Sequence, residues 1–107
     1  MELNQYQIVL VNLDPTIGHV IKKTRPCVII SPNEMNHHLK TIMIAPMTSA
    51  SKSYPTRVLV KHGNKSGWIV LDQIRTIDKA RIIKIFDGLT DKEITKVKDT
   101  IKNILVD

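Results

Sequence analysis

Tyr6-Gln7-Ile8-Val9-Leu10-Val11-Asn12-Leu13 is a short, nearly unbroken apolar run that stops at Asp14-Pro15-Thr16. A run of this length, rich in β-branched residues, fits a strand covered on both faces. Pro15 removes a ladder donor and ends it. The same kind of clump recurs down the chain. Pro26-Cys27-Val28-Ile29-Ile30 ends at Ser31-Pro32-Asn33, and Thr41-Ile42-Met43-Ile44-Ala45 ends at Pro46. Thr56-Arg57-Val58-Leu59-Val60 alternates cleanly, and Trp68-Ile69-Val70-Leu71 and Arg81-Ile82-Ile83-Lys84-Ile85-Phe86 follow. A polar loop at Thr48–Ser53 and a turn cluster from His62 to Gly67 punctuate them. Short strands with Gly, Pro and Asn between them predict a small, strongly bent sheet or barrel.

The tail reads differently. Thr90-Asp91-Lys92-Glu93 has the spacing of a capping box, in which the Thr hydroxyl and the Glu carboxylate satisfy each other's backbone amides. Ile94, Val97, Ile101, Ile104 and Leu105 then recur at helical spacing, with lysines on much of the opposite face. The expected fold class is therefore mainly β, with one amphipathic C-terminal α-helix lying on the barrel.

The chain has 107 residues, enough for one domain over 1–107 and too few for two cores. Hydrophobic residues at 42% and charged residues at 24% exclude a disordered chain. No apolar run approaches the ~20 residues of a bilayer-spanning helix. Met1–Gln5 lacks the basic and apolar regions of a secretory signal. One cysteine, Cys27, excludes an intrachain disulfide framework and a multi-cysteine zinc site. Cys27 sits inside an apolar strand and reads as a small buried hydrophobe in a protein of the reducing cytoplasm. The net charge of +6 suits a polyanionic partner, and it suits lysine-rich solubility equally well.

No P-loop, dinucleotide-binding glycine pattern, HExxH or GxSxG occurs. His37-His38 is a poor metal pair, because neighbours on a strand point to opposite faces. What stands out is polar residues at the ends of apolar strands: Asp14-Pro15-Thr16-Ile17-Gly18-His19, Thr24-Arg25-Pro26, Ala45-Pro46-Met47-Thr48-Ser49 and Leu71-Asp72-Gln73-Ile74-Arg75-Thr76-Ile77-Asp78. Together with Tyr54-Pro55-Thr56-Arg57-Val58, these resemble the MazF/PemK family of toxin endoribonucleases, in that family's order and spacing, from about Ile8 onward.

The resemblance implies a compact SH3-like β-barrel of the type also found in CcdB, assembled as a homodimer. It implies cleavage of single-stranded RNA at short sequences, with no metal or other cofactor. The ribose 2′-OH attacks the adjacent phosphate and leaves a 2′,3′-cyclic phosphate and a 5′-OH. It also implies a cognate antitoxin that blocks the RNA groove. Arg25 matches the family's TRP arginine, whose fork of donors suits non-bridging phosphate oxygens. Thr48 matches the threonine of APxTS and can donate to the same phosphate. His19 matches the histidine of DPTxGH, and imidazole carries protons near neutrality. Asp72 matches an aspartate read in the family either as the base or as a group that holds the site together; as a structural residue it would pair an arginine such as Arg75 or cap a turn. Lys22, Lys23, Thr24, Ser49, Lys52, Arg57 and Gln73 are expected along the RNA.

Three departures mark this chain. Gln5-Tyr6-Gln7 stands where the family has Arg-Gly-Asp, Val20 stands where a Glu is common, and Val70 replaces an arginine seen in some members. They keep two other readings open: a CcdB-like toxin that poisons gyrase, and an RNA-binding barrel without turnover.

Overall fold

The computed structural model describes residues 2–13, 24–49, 53–62 and 65–106. Its strands are β1 (Gln7–Asn12), β2 (Thr24–Ile29), β3 (Thr41–Thr48), β4 (Arg57–His62), β5 (Lys65–Val70), β6 (Arg75–Asp78) and β7 (Ile82–Gly88). Helix α1 spans Asn33–His38 and α2 spans Asp91–Ile101, extended by a π-turn over Lys102–Val106. The sheet runs β4-β5-β3-β2-β1-β7, with β6 also paired to β3. It is a bent, barrel-like, mainly β fold with a C-terminal helix, as the strand pattern predicts.

Alternate residues of the central strands feed two separate cores. Ile8, Val28 and Ala45 go to one side, where Val58, Val60, Ile69, Leu71, Leu89 and Val97 meet them. Val9, Val11, Cys27, Ile29, Ile42 and Ile44 go to the other, with Leu3 and Ile77. A sheet buried on both faces cannot show polar alternation, hence the unbroken apolar runs.

Helix α2 covers the first core. Val97 is fully buried, and Ile94, Ile101 and Ile104 pack beside it. Burying one such side chain stabilises the fold by about 1.5–3 kcal/mol. Leu105, expected in this stripe, is instead 68% exposed, because the chain widens into the π-turn just before it. The capping box forms: Glu93 N donates to Thr90 Oγ1 (3.3 Å) and Thr90 N to Glu93 Oε1 (2.9 Å). The second oxygen of Glu93 accepts from Lys61 N on β4 (3.1 Å), satisfying a donor on a sheet edge.

The elements differ from the sequence reading in several places, β2 starting at Thr24 and β7 running to Gly88 among them. β3 does not stop at Pro46; its pairing with β2 ends there, but on the opposite edge β5 takes over from β6 and carries the strand to Thr48. β4 and β5 run further into the His62–Gly67 cluster, pairing His62 with Lys65. Helix α1, which holds His37 and His38, lies where no element was expected. β6 is also unanticipated, having only one inward apolar residue, Ile77, in four.

Tyr6 opens β1 with φ 67°, in the left-handed region. Backbone bonds fix it on both sides: Tyr6 N donates to Ile29 O (2.7 Å) and Leu89 N to Tyr6 O (2.9 Å). A glycine would bear this positive φ without strain.

Candidate functional site

β1 and β2 pair antiparallel, with Val11 opposite Arg25 and Asn12 opposite Thr24. The inward apolar residues of β2 give out after Cys27, so Thr24, Arg25 and Pro26 are exposed at the start of that strand. Among the described residues the Arg25 guanidinium has no hydrogen bond or ion pair. On its other side β2 pairs β3 through Cys27–Pro46, Val28–Ala45 and Ile29–Ile44. Continuing that register by two residues sets Arg25 level with Thr48. Thr48 is half-buried, ends β3 and pairs with Trp68. Ser49 follows it, exposed. The strand ends thus bring Arg25 and Thr48 to the same end of two adjacent strands.

Cys27 lies one strand period inward from Arg25. It is fully buried, and burial pushes its thiol up to about 12 against the opposing pull of the Arg25 and Arg75 charges. It is the inert hydrophobe expected of it.

Asp72 sits elsewhere. Ile69 pairs with Met47, and Arg75 pairs with Ile44. Six steps along one strand therefore match three along β3, and the surplus is thrown out as the 3-10 turn Leu71–Gln73. This bulge-like excursion carries Asp72 and Gln73 outward, both exposed, while Leu71 stays in the core.

Asp72 Oδ1 accepts from Thr56 Oγ1 (2.9 Å) and Arg57 Nε (3.4 Å). Arg57 in turn stacks over the Tyr54 ring, 4.9 Å from its centroid. Burial raises the Asp72 carboxyl, but the hydrogen bonds from Thr56 and Arg57 and the Arg57 charge outweigh it, and the net pKa lies below the ordinary value. A carboxylate held ionised in this way is a poor proton acceptor near neutrality.

The pairing expected with Arg75 is made with Arg57 instead, because the 3-10 turn swings Asp72 toward the start of β4. Thr56, not singled out as a partner, lies in the same Tyr54-Pro55-Thr56-Arg57 motif that already marked this corner. His19, Lys22, Lys23 and Lys52 lie outside the described residues, as does Val20. Among the described residues no helix is long and apolar enough to cross a membrane.

Residues 4–105 match the family model described as the PemK-like, MazF-like toxin of type II toxin–antitoxin systems. The chain belongs to this family. It is 31% identical over 100 residues to the endoribonuclease MazF of Staphylococcus saprophyticus, covering 88% of this chain and 83% of that one. It is 32% identical over 108 residues to the endoribonuclease PemK of Escherichia coli, covering 95% and 75%. Among solved structures, MazF of Deinococcus radiodurans superposes with TM-score 0.81 at 23% identity, over 98% of this chain and 97% of that one. A mycobacterial endoribonuclease solved in complex with its cognate antitoxin gives TM-score 0.83 at 19% identity, over 96% and 94%. At these identities the structures carry the fold.

Proposed function

We propose that this chain, an endoribonuclease of the PemK/MazF toxin family, cleaves single-stranded RNA at short preferred sequences without a metal. The 2′-OH attacks its own 3′ phosphate. The P–O5′ bond breaks, leaving a 2′,3′-cyclic phosphate on one fragment and a 5′-OH on the other. The reaction loads charge on the non-bridging oxygens as the fifth bond forms. Arg25 meets that charge with its fork of donors, and Thr48 adds a hydrogen bond from the neighbouring strand. The observation that carries this reading is an exposed guanidinium with no counter-charge among the described residues, level by register with a hydroxyl on the adjoining strand.

Arginine yields a proton reluctantly, so Arg25 acts electrostatically and His19 moves the proton. Asp72 is a structural anion rather than the base, since the bonds its Oδ1 accepts from Thr56 and Arg57 hold it ionised and lower its basicity. The toxin acts as one domain over 1–107, in the cytoplasm, as a homodimer. A cognate antitoxin restrains it by covering the RNA path.

The test is incubation of the purified protein with single-stranded RNA in EDTA, followed by analysis of the new ends. Fragments with 5′-OH and cyclic phosphate ends are expected. Intact RNA across many sequences, or cleavage only after a divalent cation is restored, overturns the reading.

A further inference from the structure

We propose that Arg75 is a second phosphate-binding residue, gripping the RNA backbone one or two linkages away from the phosphate held at Arg25. This rests on the RNA-cleaving reading above and adds a residue that reading does not use.

The placement comes from register. On β3, Arg25 is level with Thr48, Cys27 faces Pro46, and Arg75 faces Ile44. These β3 positions are two residues apart, so the three side chains fall on one face of the sheet. That face carries the second core, containing Cys27, Ile29, Ile42, Ile44 and Ile77. Arg25 stands one period outside Cys27, and Arg75 one period outside Ile77; both are exposed. The buried thiol between them registers both charges, each opposing the upward effect of burial.

Four residues along the strands make about 13 Å, and two strand spacings add about 10 Å across. The two Cα atoms are then about 16 Å apart on a flat sheet, and nearer on a curled one. On extended side chains such a pair can meet successive charges on a chain.

Neither guanidinium has a hydrogen bond or ion pair among the described residues. Of the two acids three positions from Arg75, Asp72 accepts from Thr56 and Arg57, and Asp78 accepts from Ala80 N where the next 3-10 turn begins. The excursion at Leu71–Gln73 does two things at once. It turns the carboxylate away, and it sets the register that brings Arg75 opposite Ile44. Two cations left unanswered on one face favour a polyanion, whose condensed counterions they would release.

The probe is a short randomised single-stranded RNA with every ribose 2′-O-methylated, so that it binds without being cut. Its affinity for the wild type, Arg75→Ala and Arg75→Lys is followed through a salt series, alongside cleavage of unmodified RNA by the same proteins. Arg75→Ala is expected to bind about tenfold more weakly, with a log–log salt slope shallower by about 0.7. Its KM should rise while kcat changes by no more than about threefold. Arg75→Lys should recover the slope but only part of the affinity, since it restores charge without the fork. Should the alanine variant melt early, Arg75→Gln carries the same comparison. Unchanged affinity and slope in a variant, beside a wild type that cleaves, overturns the Arg75 assignment alone. A kcat loss with KM unchanged overturns it too, by putting Arg75 at the reacting phosphate. A wild type that neither binds nor cleaves RNA overturns both this assignment and the RNA-cleaving reading.

Discussion

Arg57, at the start of β4, has its charge answered: Asp72 lies 3.4 Å from its Nε, and the Tyr54 ring sits beneath the guanidinium. Arg25, at the start of β2, has no such partner among the described residues, and the strand beside it presents the hydroxyl of Thr48. Both arginines lie within the first two residues of a strand, and both fall in motifs of the same family. One corner is closed and neutral, and its acid is fixed in one protonation state. The other is open and cationic, and a phosphate would complete it. On the proposed reading, a basic residue in a family motif holds substrate only where the fold leaves its charge unspent.

The sharpest challenge to this contrast below the level of Arg25 itself is Thr48→Val, which keeps the shape of the side chain and removes its donor. Single-turnover cleavage is expected to slow about tenfold, the worth of one hydrogen bond made to the transition state. An undiminished rate would leave Arg25 alone at the open corner.

A site remote from both arginines separates stability from chemistry. Tyr6→Gly and Tyr6→Ala both lose the ring that packs on the first core, but only glycine is at ease at φ 67°. The glycine variant should be the more stable of the two by about 1 kcal/mol in chemical denaturation, with the same cleavage rate per folded molecule. Equal stabilities would remove the strain assigned to Tyr6.

The smallest effect belongs to the closed corner. Asp72→Ala should cost about 1 kcal/mol or less, because the pair is partly solvated. The folded carboxyl pKa is held below the ordinary value, near 3.8. The stabilising share is therefore complete above the unfolded pKa and is lost as pH falls through the lowered folded one. Melting curves of wild type and variant should differ at neutral pH and converge in strong acid. A gap that widened on acidification would contradict the ion pair.

The fold was legible wherever one physical signal dominated. The apolar clumps around Val9, Val28, Ile44 and Val58 located four strands, and Thr90 with Glu93 marked the start of α2. β6 was not legible: Arg75 and Thr76 are exposed, and its place is set by pairing with β3 rather than by its own pattern. Pro46 misled because proline is disfavoured inside strands, yet here the β2 ladder ends at it while β5 carries the strand on along the opposite edge. Arg25 and Thr48 could be singled out only through family motifs, since neither carries a local signal of chemistry. That Asp72 would meet Arg57 rather than Arg75 depended on a three-residue surplus between β5 and β6, and surplus shows only once both strands are paired to β3.

The most direct measurement of the central claim is single-turnover cleavage of one RNA in EDTA by the wild type, Arg25→Ala and Arg57→Ala, each at the same folded concentration. Loss of the open guanidinium should slow cleavage by about a hundredfold or more, as removal of a donor to developing charge does, whereas loss of the paired one should change the rate by less than about tenfold. An Arg25→Ala protein that cleaves as fast as the wild type, or an Arg57→Ala protein that is the more severely impaired, would contradict the assignment of the open corner as the place where the phosphate is held.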